Sequence, residues 1–292
     1  MAIDKLQEKI RKMKNPSMIR FDALPEQIPP HLAEQEGSLP SAYGRFCAEL
    51  LEGLKGAVPA VRFGFDAFAL MGPEGLACLK KVLQFAKTCG YYVLLDSTLS
   101  LSPQMAELSA SVLLGEEWLP LIDGLCISPY IGSDGVKPYI SRLTQNDKDL
   151  FITLRTANKS ALELQDLLTG GRHVYTAAAD MVNYLGKPLA VSNRYSRVAG
   201  VGAASSADSL RSLRTKYPDM FLLIDGMDYS GANAKNCSAA FDRMGHGAIA
   251  CAGTSVIAAW QQEESDGTEY VQQAVGAADR MKKNLLRYIT VI

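Results

Sequence analysis

Eight short apolar runs of strand length alternate with segments of helical periodicity along nearly the whole chain. Continuous apolar strands joined through helices are typical of a parallel sheet covered on both faces. Eight such units in 292 residues predict a single α/β domain over residues 1–292, a (β/α)8 TIM barrel. A doubly wound open sheet is the alternative, but the first strand-to-helix turn lacks the G-x-G-x-x-G fingerprint of dinucleotide-binding members. The predicted strands are Ser17–Asp22, Pro59–Gly64, Tyr91–Asp96, Leu121–Ser128, Leu150–Arg155, Arg197–Ala203, Met220–Asp225 and Gly247–Gly253.

Helical patterns fill the intervals between these strands. Apolar residues from Ile3 to Met13 recur at helical spacing and predict an amphipathic opening helix. The Pro-rich stretch Leu24–Pro40 is interpreted as an excursion after the first strand. The other predicted helices are Tyr43–Lys55, Pro73–Thr88, Pro103–Leu114, Gly135–Thr144, Val174–Leu185, Ala207–Lys216, Ala234–Met244, Thr254–Gln262 and Thr268–Tyr288.

Composition excludes several classes of function. The 30 Lys and Arg residues against 31 Asp and Glu give a net charge of −1, which provides no general attraction to nucleic acid or anionic lipid. No apolar stretch approaches the roughly 20 residues of a membrane span, and the mixed charges of residues 1–14 are unlike a secretory signal, so we expect a cytoplasmic protein. The six cysteines are scattered and the three histidines isolated, so we expect neither a metal nor a cofactor.

The carboxyl ends of the predicted strands indicate where a site would lie, because barrel enzymes build their active sites there. Charged residues are poor core material, and several end otherwise apolar strands. Each could instead cap a helix or pair at the rim, but together they favour a polar barrel mouth. The strand-end residues are Asp22, Arg62, Asp96, Ser128, Arg155, Asp225 and the Gly253-Thr254 turn.

Several motifs, in order along nearly the whole chain, resemble the long bacterial type of orotidine 5′-phosphate decarboxylase. They are Ile3-Asp4-Lys5-Leu6, Asn15-Pro16, Val58-Pro59-Ala60-Val61, Ser128-Pro129-Tyr130-Ile131-Gly132-Ser133-Asp134-Gly135, Arg155-Thr156-Ala157-Asn158, Glu163-Leu164-Gln165-Asp166, Gly247-Ala248-Ile249 and Ile257-Ala258-Ala259. The resemblance implies a (β/α)8 barrel that dimerises across its barrel mouths. It also implies decarboxylation of orotidine 5′-phosphate to UMP without metal or cofactor.

The catalytic motif of that family, Asp-x-Lys-x-x-Asp-Ile after the third strand, is degenerate here. The corresponding stretch is Asp96-Ser97-Thr98-Leu99-Ser100-Leu101-Ser102. The resemblance implies that Thr98 replaces the lysine that stabilises and protonates the carbanion, and that Leu101 replaces a carboxylate serving the neighbouring subunit. A neutral hydroxyl offers no cationic stabilisation and is a very weak acid. Alternatively, Ser102 before Pro103 makes this stretch a plain strand-to-helix turn.

Other family positions are also altered. Asp22 matches the carboxylate that the resemblance assigns to ribose binding. Val58 stands in place of a charge-network lysine if Pro59 anchors the alignment. Arg62 nearby could restore the positive charge, but its guanidinium is a poor proton donor. Ala157 replaces a serine that recognises the pyrimidine ring.

The resemblance places the phosphate site in the loop after the seventh strand and the turn after the eighth. Ser230 replaces a glutamine and Thr254 an arginine that clamps the phosphate. Asp225 and Asp228 would oppose an anion, while backbone N–H groups at Gly226, Gly231 and the helix start at Thr254 could still bind one.

The sequence therefore predicts a family member that has lost the decarboxylase activity. The alternatives are an active or weakly active decarboxylase and a non-catalytic regulatory partner subunit. We expect a nucleotide or another small molecule as ligand and a homodimer, with pairing to an authentic decarboxylase as a further option.

Overall fold

A closed barrel of eight parallel strands forms the centre of the computed structural model, which describes residues 2–97, 101–190, 194–262 and 265–292. The strands follow one another around the barrel in the order β1-β8-β7-β6-β5-β4-β3-β2, which confirms the predicted (β/α)8 architecture over the open sheet. The barrel strands are β1 (Ser17–Phe21), β2 (Ala60–Gly64), β3 (Tyr92–Asp96), β4 (Gly124–Ile127), β5 (Asp149–Thr153), β6 (Val198–Ala203), β7 (Leu222–Asp225) and β8 (Ala248–Ala252).

Parallel pairing closes the barrel between β1 and both of its neighbours. Met18 pairs with Ala60 of β2, and Ser17 pairs with Ala250 of β8. The strands are almost wholly buried, because their inward side chains fill the barrel and their outward side chains pack against the helices. Phe21 and Phe63 on neighbouring strands, for example, stack with ring centroids 5.0 Å apart. All eight carboxyl ends therefore open at one end of the barrel, the barrel mouth.

The helices follow the predicted positions, with three short additions. The excursion after β1 contains a helix that starts at Pro30, and short helices follow β2 and β5. Proline at the first helical position has no N–H to lose, which is why a Pro-rich stretch can begin a helix. The helices are α1 (Ala2–Met13), α2 (Pro30–Glu36), α3 (Leu39–Gly53), α4 (Phe65–Ala69), α5 (Gly72–Thr88), α6 (Pro103–Leu113), α7 (Ser133–Asn146), α8 (Ala161–Leu164), α9 (Val174–Gly186), α10 (Ala207–Lys216), α11 (Ala234–Ser238), α12 (Thr254–Ile257), α13 (Ala259–Gln262) and α14 (Tyr270–Leu286).

Short 3-10 helices and a small antiparallel ribbon complete the secondary structure of the described residues. The ribbon pairs Leu168–Thr169 with Arg172–His173. The 3-10 helices are Pro25–Gln27, Leu119–Leu121 and Lys187–Leu189. Of the helices described, none is long and apolar enough to cross a membrane.

The predicted helix Ala234–Met244 is wrong in extent, because α11 ends at Ser238. The Asp242 carboxylate accepts hydrogen bonds from the N–H groups of Met244 (2.8 Å) and His246 (2.9 Å), which holds this segment in a turn. Gly245 lies in the left-handed region at φ 71°, and a Cβ there would come within 2.2 Å of the carbonyl oxygen of Thr290. The apolar spacing that suggested a longer helix therefore gives way to local side-chain capping.

A buried carboxyl lies at the opposite, amino end of the barrel. Asp149, the first residue of β5, accepts a hydrogen bond of 2.8 Å from the Tyr92 hydroxyl at Oδ2, and its Oδ1 lies 3.8 Å from Arg197 Nε. Burial raises the pKa of Asp149 to about 8, although Tyr92 and Arg197 favour the charged form.

We expect Asp149 to make folding stability depend on pH. A carboxyl whose pKa is higher in the folded than in the unfolded state stabilises the fold fully below about pH 4, and this stability is lost as pH rises through about 8. Asp149→Asn keeps an acceptor for Tyr92 and cannot ionise. The unfolding free energy of the natural chain, taken relative to that of the variant, should therefore fall by a few kcal/mol between pH 5 and pH 9. The expected size is about 1.4 kcal/mol per unit of difference between the folded and unfolded pKa, and urea titrations measure it. A difference that stays constant over this range would contradict the expectation.

Candidate functional site

The barrel mouth gathers charged side chains from four strands. Asp96 and Asp225 are the last residues of β3 and β7, and Asp22 directly follows β1. Arg20 and Arg62 lie within β1 and β2 and reach the same region. Asp22, Arg62, Asp96 and Asp225 were predicted as mouth residues, whereas Arg20 was not.

These five side chains form one alternating series of charges, called here the mouth ion-pair chain. Asp22 Oδ2 lies 2.7 Å from Arg20 Nε, and Arg20 Nη1 lies 3.1 Å from Asp225 Oδ1. The other oxygen of Asp225 lies 3.0 Å from Arg62 Nη1. Arg62 Nε then donates to both oxygens of Asp96, at 2.7 and 2.8 Å. Asp225 thus bridges the two guanidinium groups at the centre of the series.

The charges of this chain stabilise one another. Burial alone would lower the pKa of both guanidiniums, but Asp225 acts with Asp22 at Arg20 and with Asp96 at Arg62 to hold each pKa above its ordinary value. Burial would likewise raise the pKa of Asp225, yet Arg62 and Arg20 outweigh it and keep that pKa below the usual range. At Asp96 burial prevails and the pKa is raised. The series therefore holds its arginines firmly protonated.

A thiol lies beside this series. Arg62 Nη2 is 3.9 Å from the sulfur of Cys126 on β4. Burial, and then the neighbouring Asp96, raises the pKa of Cys126 to about 12. The thiol stays protonated at neutral pH and is not a nucleophile there.

At the β7 and β8 side of the mouth, the Asp228 carboxylate accepts hydrogen bonds from backbone N–H groups. Asp228 Oδ2 accepts from the N–H of Gly253 at 2.7 Å, and its Oδ1 accepts from the N–H of Ser255 at 3.0 Å. The Ser255 hydroxyl forms a further short hydrogen bond with Oδ1. The Gly226 N–H donates to Asp225 at 2.8 Å. Three of the N–H groups around the expected phosphate site are thus already engaged.

The remaining predicted phosphate-site residues lie around this carboxylate or further out. Ser230 and Gly231 are exposed, with Gly231 in the left-handed region at φ 85°. The Thr254 hydroxyl is 3.5 Å from the side-chain nitrogen of Gln27. Gly253 lies against the ion-pair chain: a Cβ there would be 3.3 Å from Asp22 Oδ1 and 3.4 Å from Arg20 Nε.

Ala157 lies against the loop that follows β7. A Cβ on Gly226 would come within 2.2 Å of the Ala157 methyl and 3.0 Å of the Tyr229 ring. Gly226 also adopts φ 81°, so both its conformation and its surroundings require glycine. The structure thus brings Ala157 next to Gly226.

The segment after β3 is partly described. Leu101 is 86% exposed. The Ser102 hydroxyl accepts from the N–H of Met105 at 3.2 Å, so it caps α6 as expected of a strand-to-helix turn. Thr98 lies outside the described residues.

One other expectation is corrected by the fold. Val58 precedes β2 and so lies toward the amino ends, away from the mouth, which excludes it as the residue replacing a mouth lysine. Arg62, two residues from the end of β2, contributes the positive charge instead. Arg155 is engaged by Asp166, with Nε and Nη2 donating to the two carboxylate oxygens at 2.8 and 2.7 Å, and so ties the loop after β5 together.

The fold and the charged mouth define a (β/α)8 barrel protein with a strand-end site. No family model matches the chain. Individual proteins do: an orotidine 5′-phosphate decarboxylase of Rhodopirellula baltica is 29% identical over 252 residues, covering 84% of this chain and 83% of that protein. The orotidine 5′-phosphate decarboxylase of Clostridium acetobutylicum is 25% identical over 286 residues, covering 98% and 99%.

Solved structures agree on the fold. The Plasmodium berghei orotidine 5′-monophosphate decarboxylase matches with a TM-score of 0.80 at 13% identity, over 99% of both chains. The Leishmania donovani OMP decarboxylase matches at 0.72 and 20% identity, over 97% of this chain and 98% of that one. The sequence resemblance is thereby confirmed: the chain is similar to orotidine 5′-phosphate decarboxylases in sequence, and it shares their fold.

Proposed function

We propose that this chain is a relative of the pyrimidine-synthesising decarboxylases that does not decarboxylate orotidine 5′-phosphate. The observation that carries the proposal is the mouth ion-pair chain, whose cations are two arginines, each held between two carboxylates. The resemblance implies a lysine at the place of Thr98, and the sequence contains no lysine between Lys87 and Lys137.

Arginine cannot take over the role that the resemblance assigns to that lysine. Protonation of a carbanion needs an acid whose pKa lies near the working pH, so that the proton can be given up. The pKa of Arg62 lies well above its ordinary value, and its Nε and Nη1 already face Asp96 and Asp225. The positive charge of Arg62 is therefore largely neutralised by these two carboxylates in the absence of a ligand.

Phosphate binding is weakened as well. The resemblance assigns phosphate binding to positions held here by Ser230 and Thr254, neither of which carries a charge. Asp228 occupies the N–H groups of Gly253 and Ser255. An active or weakly active decarboxylase would need to bind its substrate without either contribution.

Turnover of orotidine 5′-phosphate by the purified chain tests the proposal. An ordinary decarboxylase in the same assay serves as the control for substrate and detection. We expect no loss of substrate absorbance above the uncatalysed background. A rate near that of the control enzyme would overturn the proposal.

We further propose that two copies pair across their barrel mouths. Exposed apolar side chains concentrate beyond the neighbouring strands β3, β4 and β5, including Leu101, Tyr130 at 79% and Leu168 at 71% exposed. Apolar clusters of this kind on a polar surface are typical of interaction sites. Further exposed members are Met105, Leu108, Val112, Leu162, Leu164 and Leu167. Pairing with an authentic decarboxylase is the alternative, and recovery of a mixed dimer on co-expression would favour it.

Light scattering at micromolar concentration should give twice the chain mass. Tyr130→Asp places a charge within the proposed interface and should shift the population toward monomer by about tenfold or more in the dissociation constant. Tyr184→Asp is the matched control, because Tyr184 is equally exposed, at 78%, but lies near the end of α9. A monomeric natural chain, or equal effects of both variants, would contradict mouth-to-mouth pairing.

A further inference from the structure

Asp228 is bound by the chain as a ligand anion would be bound. Its carboxylate accepts two backbone N–H hydrogen bonds and one from the Ser255 hydroxyl. These donors come from the turn after β8, while Asp228 belongs to the loop after β7, so the contact joins two separate loops of the mouth. An incoming anion at these donors would have to displace the carboxylate.

The charge of the surrounding mouth adds a second, independent barrier to anions. Arg20, the guanidinium nearest to Gly253, is already shared between Asp22 and Asp225. The mouth ion-pair chain and Asp228 together hold four carboxylates and two guanidiniums, a net charge of −2 for this group: Asp22, Asp96, Asp225 and Asp228 against Arg20 and Arg62. An anion at this point therefore meets repulsion without a free counter-charge from the ion-pair chain.

We propose that Asp228 is a specificity-determining residue that excludes phosphorylated ligands, so that the mouth accepts neutral or cationic small molecules. The inference deepens the proposed function, on which it rests for the location of the ligand at the mouth. Asp228 acts as an internal substitute for the anionic group and keeps the Gly253 and Ser255 donors satisfied when no anion is bound.

The test compares UMP with uridine, which differ only in the phosphate group, and adds inorganic phosphate as a third probe. Calorimetry on the natural chain should show millimolar or weaker binding of UMP and phosphate. Asp228→Ala vacates the donors and removes the charge, and should tighten binding of UMP and phosphate by about tenfold or more while leaving uridine unchanged. Asp228→Asn keeps the side-chain shape and should give a smaller gain in the same direction, even if the alanine variant folds poorly.

Asp208→Ala is the matched control, because it removes the same charge from the start of α10, where the side chain is 94% exposed. It should leave the affinity for UMP within about twofold. Micromolar binding of UMP by the natural chain would overturn the proposal. So would an absence of gain in the folded variants, or an equal gain in Asp208→Ala, which would reflect overall charge.

The outcome is separable from that of the proposed function. Turnover of orotidine 5′-phosphate reports on the missing acid, whereas the change in the UMP-to-uridine affinity ratio between the natural chain and Asp228→Ala reports on Asp228. A natural chain without turnover but with strong UMP binding would retain the first proposal and refute the second.

Discussion

Introducing the two catalytic residues that the resemblance implies, by Thr98→Lys with Leu101→Asp, is expected to leave the chain at least about a hundredfold slower than an ordinary decarboxylase. A lysine at position 98 would depend on Asp96 as its partner carboxylate. Both oxygens of Asp96 already accept from Arg62 Nε, at 2.7 and 2.8 Å. The new ammonium would therefore compete with the Arg62 guanidinium for the Asp96 carboxylate.

The phosphate end would limit the double variant further. Asp228 would still accept hydrogen bonds from the N–H groups of Gly253 and Ser255, so the phosphate of the substrate could not gain binding energy from these donors. Adding Asp228→Ala to the double variant should therefore raise kcat/KM, whereas adding Asp208→Ala should not. Steady-state rates with orotidine 5′-phosphate measure both effects. A double variant within tenfold of an ordinary enzyme would show that the ion-pair chain and Asp228 do not restrict the chemistry.

Much of the fold could be predicted because its signal is local. The barrel strands are continuous apolar runs bounded by polar residues, and each was recognisable without knowing its neighbours. The predicted helix bounds failed where hydrogen bonds from side chains set the backbone conformation. Asp242 ends the helical pattern after α11 by capping N–H groups. Pro30 begins a helix within the Pro-rich excursion, where no helix was predicted.

The site was only partly predictable because its contacts join distant segments. Asp22, Asp96 and Asp225 were identifiable as acids that end apolar strands. Arg20 was not identifiable in this way, because it lies within β1 and does not end the strand. Its pairing with Asp225 depends on which strands lie near each other in the closed barrel. The one available signal was the Arg20-x-Asp22 spacing, which puts both side chains on the same face of a strand.

Asp228 shows the same limit in another form. Its charge alone predicted repulsion of a phosphate. That it instead binds the donors of Gly253 and Ser255 depends on how the loop after β7 meets the turn after β8. No local pattern in either segment predicts that the two loops come into contact. The sequence therefore indicated a weakened anion site, whereas in the structure the donors of that site are already bonded to the Asp228 carboxylate.

Asp225→Ala is expected to lower the free energy of unfolding by about 3 kcal/mol, the lower part of the range for breaking a buried ion pair. Asp225 faces Nη1 of both Arg20 and Arg62, so its removal leaves two guanidiniums short of a counter-charge at once. The side chain is 22% exposed, so water can compensate part of the loss. Urea titration at neutral pH measures the change, with Asp208→Ala expected to stay within about 0.5 kcal/mol.

A double-mutant cycle distinguishes loss of the bridge from loss of packing. Arg20→Leu removes one cation that Asp225 serves, and the combined variant should be less destabilised than the sum of the single changes by about 1 kcal/mol or more. The coupling arises because an arginine without its carboxylate is costly, whereas removing both partners leaves no uncompensated charge. Additive effects of the two changes, or a loss below about 1 kcal/mol for Asp225→Ala, would mean that Asp22 and Asp96 alone can neutralise the mouth.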